Sequence, residues 1–125
     1  MANCSDCAAG TLPGNRTHHM WYCGNNDIAP DPFGSKPVGG KTGNASGLYD
    51  MSGNVYEWCE DDYHSSYTGA PADGSAWIDS LRASYRMRRG GCSIHGAGCC
   101  RSAFRTTATP DNRNAGFGFR LAAVQ

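Results

Sequence analysis

GLYDMSGNVYEWCEDDY, residues 47–63, is the stretch on which the reading of this chain turns. Within it, Ser52-Gly53-Asn54 is turn chemistry, because Gly adopts positive φ without a Cβ penalty and Asn tolerates the same region. Directly afterwards Val55 and Glu57 alternate with Tyr56 and Trp58, the two-residue period of a strand with one buried face. The stretch therefore predicts a tight turn that feeds a short strand.

Working outward toward the C-terminus, residues 61–84 return to Ser, Gly, Pro and Asp, interrupted by Trp77, Ile78 and Leu81. This predicts a long surface excursion pinned by one apolar cluster. From Tyr85 to Gln125 two strand-like pieces, around Arg86–Arg89 and Phe117–Ala122, flank an irregular middle. Gly90-Gly91 suits positive φ or close backbone approach where a strand ends, and Pro110-Asp111-Asn112 is a natural turn. Arg101, Arg105, Arg113 and Arg120 can brace irregular loops through carbonyls and carboxylates, or else bind an anion. Toward the N-terminus, residues 1–44 lack apolar periodicity and should be mostly loop, with Trp21, Tyr22 and Phe33 as anchors against the core or as ligand-stacking groups.

The length of 125 residues fits one domain, residues 1–125. With 17 glycines and only 18% charged residues, the chain should be rich in turns and is no helical bundle. Eleven basic residues balance eleven acidic ones, so no global field attracts nucleic acid or an anionic membrane, although local patches stay open. No stretch approaches the roughly 20 apolar residues of a membrane span, and this chain has no basic-then-apolar signal peptide. Neither nucleic-acid binding nor membrane insertion is expected. Seven cysteines leave at least one thiol outside any intramolecular disulfide set. Cys4 and Cys7 form a C-x-x-C that could hold zinc only with further ligands such as Cys23 and His18 or His19.

Residues 47–63 and a second block, RRGGCSIHGAGCCRSAFRTTATPDNRNAGFGFRLA at 88–122, together resemble the C-terminal half of the formylglycine-generating sulfatase-enzyme family. A weaker likeness extends to Lys36-Pro37-Val38-Gly39. The resemblance implies an α+β, C-type lectin fold of the formylglycine-generating-enzyme subtype, with small antiparallel sheets and much irregular structure. It also implies a structural Ca²⁺ site at Asp50, Gly53, Val55 and Glu57, two side-chain and two carbonyl donors of the hard oxygen type that calcium takes. Without a metal, Asp50 would cap the turn and Glu57 would pair with an arginine such as Arg120.

The family's enzyme oxidises a sulfatase cysteine with copper and two thiols separated by four residues. Here the segment after the double glycine offers Cys92, Cys99 and Cys100, whose spacing does not match, and the segment is shorter than in the catalytic branch. His18, His19, His64 and His95 form no triad or metal fork in the sequence. The expectation is therefore a non-enzymatic domain; the alternatives are a fixed accessory module and, behind it, a copper-dependent cysteine oxidase.

The second block also resembles the variable proteins of diversity-generating retroelements, whose mutated AAY codons never encode Lys, Glu, Gln, Met or Trp. Residues 90–120 contain none of these five, although they supply 12 of the other 94 positions. This makes 88–120 the candidate variable region. The implied ligand-binding set is Ser93, Ile94, His95, Gly96, Gly98, Cys99, Phe104, Thr106, Thr107, Ala108, Thr109, Ala115, Gly116 and Phe117, and it should be exposed on a rigid frame. Ser93, where the family has Trp, does not follow from adenine mutagenesis. The implied partner is a variable protein or glycan on a cell surface, with the domain displayed on a virion or a cell.

Overall fold

The structure, a computed structural model, describes residue 7, residues 16–26 and residues 34–122. Four short strands, β1 (Tyr56–Asp62), β2 (Arg86–Arg89), β3 (Thr106–Ala108) and β4 (Phe117–Gly118), form one sheet in the order β3-β2-β1-β4. β2 runs antiparallel to β1 and β3, whereas β4 joins β1 in parallel with Tyr56 opposite Phe117. One mixed sheet thus stands where small antiparallel sheets were expected, and a single α-helical turn, Arg16–His19, is the only α-helix among the described residues.

The turn before β1 forms as its residues predict, with Gly53 at φ 80 and Asn54 at φ 62. A Cβ on Gly53 would lie 2.0 Å from the Trp21 carbonyl oxygen, so glycine is needed both for its φ and for the approach of the N-terminal segment. Gly53 N donates to Gly90 O, and Asn54 N donates to Trp21 O. The Asn54 side chain clamps the backbone of Lys36 through Oδ1 and Nδ2. The segments around Trp21, Lys36 and Gly90 are thereby tied to this turn by hydrogen bonds, which is how loop backbone meets its polar requirement when buried. Gly90 and Gly91 have φ 87 and 76, and Asn112 N closes the Pro110 turn onto Thr109 O.

The apolar core is small: Met20, Tyr22 and Cys100 cluster, and Tyr56, Met87, Cys92, Cys99 and Ala108 are also buried. Tyr22 is an anchor as expected, Trp21 is half-buried, and Phe33 lies outside the described residues. Cys7 and Cys23 form a disulfide, which removes both thiols from the zinc arrangement; Cys4 lies outside the described residues.

The excursion after β1 is pinned differently from the sequence reading. Ile78 and Leu81 are 42% and 88% exposed, so no apolar cluster holds it. The buried carboxylate of Asp62 does, accepting from Asp79 N and pairing with Arg82 and Arg86 at 3.1 and 2.7 Å. Burial alone would raise its pKa, but the bonds from Asp79, Arg82 and the Ala83 backbone win and hold it below the usual carboxylate range. Trp77 contributes by stacking flat on His64, with ring centres 3.5 Å apart.

Candidate ligand-binding surface

Tyr56 is the hub of the C-terminal face. It is only 3% exposed, and its ring meets His95, Phe104 and Phe117, one residue from each of three segments in the candidate set. Arg88, from β2, lays its guanidinium 3.7 Å over Phe117 and 5.1 Å over Tyr56, while its Nη2 donates to Thr107 O. The Arg88 Nε and Nη1 groups are buried without a hydrogen-bond partner, so the aromatic faces supply the contact that a carboxylate would otherwise give. Burial pulls the Arg88 pKa down.

Exposure divides the expected set. Ile94 and Ala115 are exposed, and His95, Gly98, Phe104, Thr106, Thr107, Thr109 and Phe117 are half-buried. Ser93, Gly96, Cys99, Ala108 and Gly116 are buried, which corrects the expectation that the whole set faces solvent. The causes are local. Ser93 N donates to Asn54 O and its carbonyl accepts from Asn26 Nδ2; Cys99 is disulfide-bonded; Ala108 faces inward from β3; the Gly116 carbonyl accepts from Tyr56 N. Phe117 opens β4 and with Trp58 lines a cleft of about 560 Å³ against Asn112–Ala115.

His95 sits where a side chain could act chemically. Its Nδ1 lies 2.9 Å from the Tyr56 hydroxyl and 3.4 Å from Cys92 Sγ. Burial and Arg88 lower its pKa, and burial raises the Cys92 thiol and pushes Cys100 up to about 12. Cys92 and Cys100 are thus held as neutral SH groups, the opposite of the thiolate that nucleophilic or oxidative cysteine chemistry requires. No group of three or more His, Cys, Asp or Glu among the described residues could hold a metal ion.

Three of the four proposed calcium residues, Asp50, Val55 and Glu57, line one cavity together with Arg120, whereas Gly53 is not part of its lining. Asp50 is buried at φ 54; its Oδ2 accepts from Gly39 N, and its Oδ1 has no partner, a vacant carboxylate oxygen of the type a hard cation takes. Glu57 fits less well, because Arg120 holds both of its oxygens at 2.9 and 2.6 Å. The arginine pairing read from the sequence is therefore formed. Arg101 and Arg105 brace loops through Gly98 O and His64 O, while Arg113 acts electrostatically on Asp111.

The sequence reading missed two contributors. Tyr67, in the excursion, receives a hydrogen bond from Arg89 and lies 4.4 Å beneath Arg105. His19 and Met20 border a cleft of about 600 Å³ whose other wall is Ala97, Cys100, Arg101 and Ser102. Neither had a local signal: both reach the surface through contacts with residues distant in sequence.

Residues 12–124 match the model of the sulfatase-modifying factor enzyme 1-like domain. The chain is 40% identical over 87 residues to serine/threonine-protein kinase pkn1 of Chlamydia caviae, covering 69% of this chain and 14% of that protein. It is 37% identical over 106 residues to formylglycine-generating enzyme of Thermomonospora curvata, covering 78% and 34%. Among solved structures, PvdO from Pseudomonas aeruginosa superposes with TM-score 0.74 at 38% identity, covering 82% of this chain and 38% of that one. Treponema denticola variable protein 1 superposes at 0.69 with 28% identity, covering 89% and 38%. The chain spans between 12% and 34% of the length of the curated relatives it matches.

Proposed function

We propose that this chain, which belongs to the sulfatase-modifying factor enzyme 1-like family and has its C-type lectin fold, is a ligand-binding display domain whose surface within residues 88–120 is diversified by a retroelement. The observation that carries this reading is the division of labour in the second block. The residues matching the family's fixed pattern build the frame: Gly90 and Gly91 at positive φ, and Arg101, Arg105 and Arg120 on carbonyls and Glu57. The residues between them, at 94, 95, 98, 104, 106, 107, 109, 115 and 117, reach solvent wholly or in part. The likeness to Treponema denticola variable protein 1 supports it further.

The domain acts by binding rather than catalysis, a reading supported by Cys92 and Cys100, the free thiols of the second block, which are buried with their pKa values raised. Its ligand is a variable protein or glycan on a cell surface, with the domain itself displayed on a virion or a cell. Calcium serves as structural support, with Asp50 and Glu57 and the carbonyls of Gly53 and Val55 as its ligands; Glu57 would then be shared with Arg120. The deciding experiment is to read the encoding locus for a near-copy of codons 88–120 beside a reverse transcriptase, differing mainly at adenines. A genome without such a copy overturns diversification and leaves a fixed accessory domain, to be separated from an oxidase by partner capture and a copper-dependent thiol-oxidation assay.

A further inference from the structure

The balanced charge of the chain hides a strong local bias. Residues 80–110 contain six arginines, Arg82, Arg86, Arg88, Arg89, Arg101 and Arg105, and no Asp or Glu. Asp62 is shared by Arg82 and Arg86, and aromatic rings enclose Arg88. Arg89, Arg101 and Arg105 pair with no described carboxylate. They form one continuous patch: Arg101 lies 5.2 Å over Phe104, Arg89 donates to Phe104 O, Ser102 O and the Tyr67 hydroxyl, and Arg105 covers the Tyr67 ring. Tyr67 is 58% exposed and Arg101 is exposed, while Arg89 and Arg105 are half-buried, so the patch meets solvent mainly through Arg101 and Tyr67.

We propose that this patch is a fixed anchor for an acidic loop of a protein partner, with the neighbouring variable residues choosing among such partners. The proposal rests on the reading of 93–117 as a binding surface and names the chemistry of what it binds. Charge complementarity selects a carboxylate-bearing partner, because three guanidinium charges lie together without a described carboxylate and exposed Arg101 keeps donors beyond its one bond to Gly98 O. The adjoining cleft selects a protein over a glycan. It runs from Arg101 to Met20, Ala97 and Cys100, so its wall beside the cation is largely apolar and suits a buried side chain rather than a sugar hydroxyl. Exposed Tyr and Arg together are also the residue types in which interface energy concentrates.

The test uses a fluorescein-labelled peptide of glutamates around one tryptophan, its glutamine analogue, and a heparin fragment as competitor, read by fluorescence polarisation. Arg101→Glu removes only one loop bond and an exposed ring contact, and Tyr67→Ser removes an exposed side chain; melting curves confirm that both fold. Arg113→Glu makes the same charge change away from the patch. The expected result is salt-sensitive binding of the glutamate peptide alone, weakened about tenfold or more by Arg101→Glu and by Tyr67→Ser, and less than about twofold by Arg113→Glu. Absence of binding, equal loss in Arg113→Glu, or displacement by heparin as effective as by unlabelled peptide would overturn it. These outcomes are independent of the locus: a missing template copy removes diversification while leaving the acidic preference intact, and a template copy found beside an indifferent patch removes this proposal alone.

Discussion

Replacing Gly53 by Ala should be far more damaging than replacing Gly74, although both glycines hold φ at +80. The shared backbone conformation costs an alanine about 1–2 kcal/mol at either position, partly offset by about 0.4–1 kcal/mol from the stiffer unfolded chain. Around Gly74 nothing lies within 4 Å of the new methyl group, so its net cost stays below about 1.6 kcal/mol. At Gly53 the methyl would stand 2.0 Å from Trp21 O and 2.8 Å from Trp21 C, all backbone, so the N-terminal segment must retreat. That retreat adds about 1–3 kcal/mol of overpacking and breaks the Asn54 N to Trp21 O bond, worth about 1 kcal/mol. The difference between the variants is then about 2–4 kcal/mol, a large share of a typical stability of about 5–15 kcal/mol. Urea unfolding of both variants beside the wild type measures it directly. A gap smaller than about 0.5 kcal/mol would refute the claim that close approach, rather than φ alone, demands this glycine.

Acidification should destabilise the fold through Asp62. Its pKa is held below the unfolded value, so its contribution is present above about pH 4 and disappears as pH falls through the lower folded value; Asp62→Asn should flatten that part of the stability–pH curve. Calcium should raise the melting temperature, a chelator should reverse it, and Asp50→Ala should abolish the response; an unchanged melting temperature in all three removes calcium from the account. In a native thiol titration, buried Cys92 and Cys100 should stay unmodified until denaturant is added, with Cys59 alone among the three described free thiols open to slow reaction. Substitutions Ile94→Asn and Ala115→Tyr should change stability by less than about 0.5 kcal/mol, whereas Ala108→Asn should cost about 1–3 kcal/mol by burying an unmatched amide, both read by chemical unfolding.

The elements legible in the sequence were those specified by local chemistry. The Ser-Gly-Asn turn, the strand after it, the Arg86–Arg89 strand and the Gly90-Gly91 approach all formed because short-range φ preference and alternation decide them. β3 at Thr106–Ala108 was missed, since Thr-Thr-Ala shows no apolar alternation and becomes a strand only by pairing with Met87 and its neighbours. The Phe117–Ala122 strand shrank to two residues. Trp77, Ile78 and Leu81 looked like a pinning cluster, yet a buried carboxylate does that work, and nothing near Asp62 distinguishes it from Asp61 until Arg82 and Arg86 arrive from twenty residues away. The candidate surface was legible as a segment but not as an exposure pattern, because alternation within an irregular loop is set by its contacts.

Because His95, Phe104 and Phe117 all rest on the ring of Tyr56, their identities are not separate choices. A larger residue at one of these positions takes space from the other two, so in a population of sibling sequences the three should covary while Ile94 and Ala115 vary freely. The repertoire reachable through this face is therefore smaller than the product of its positions, and its members should fall into families defined by how that single aromatic floor is tiled.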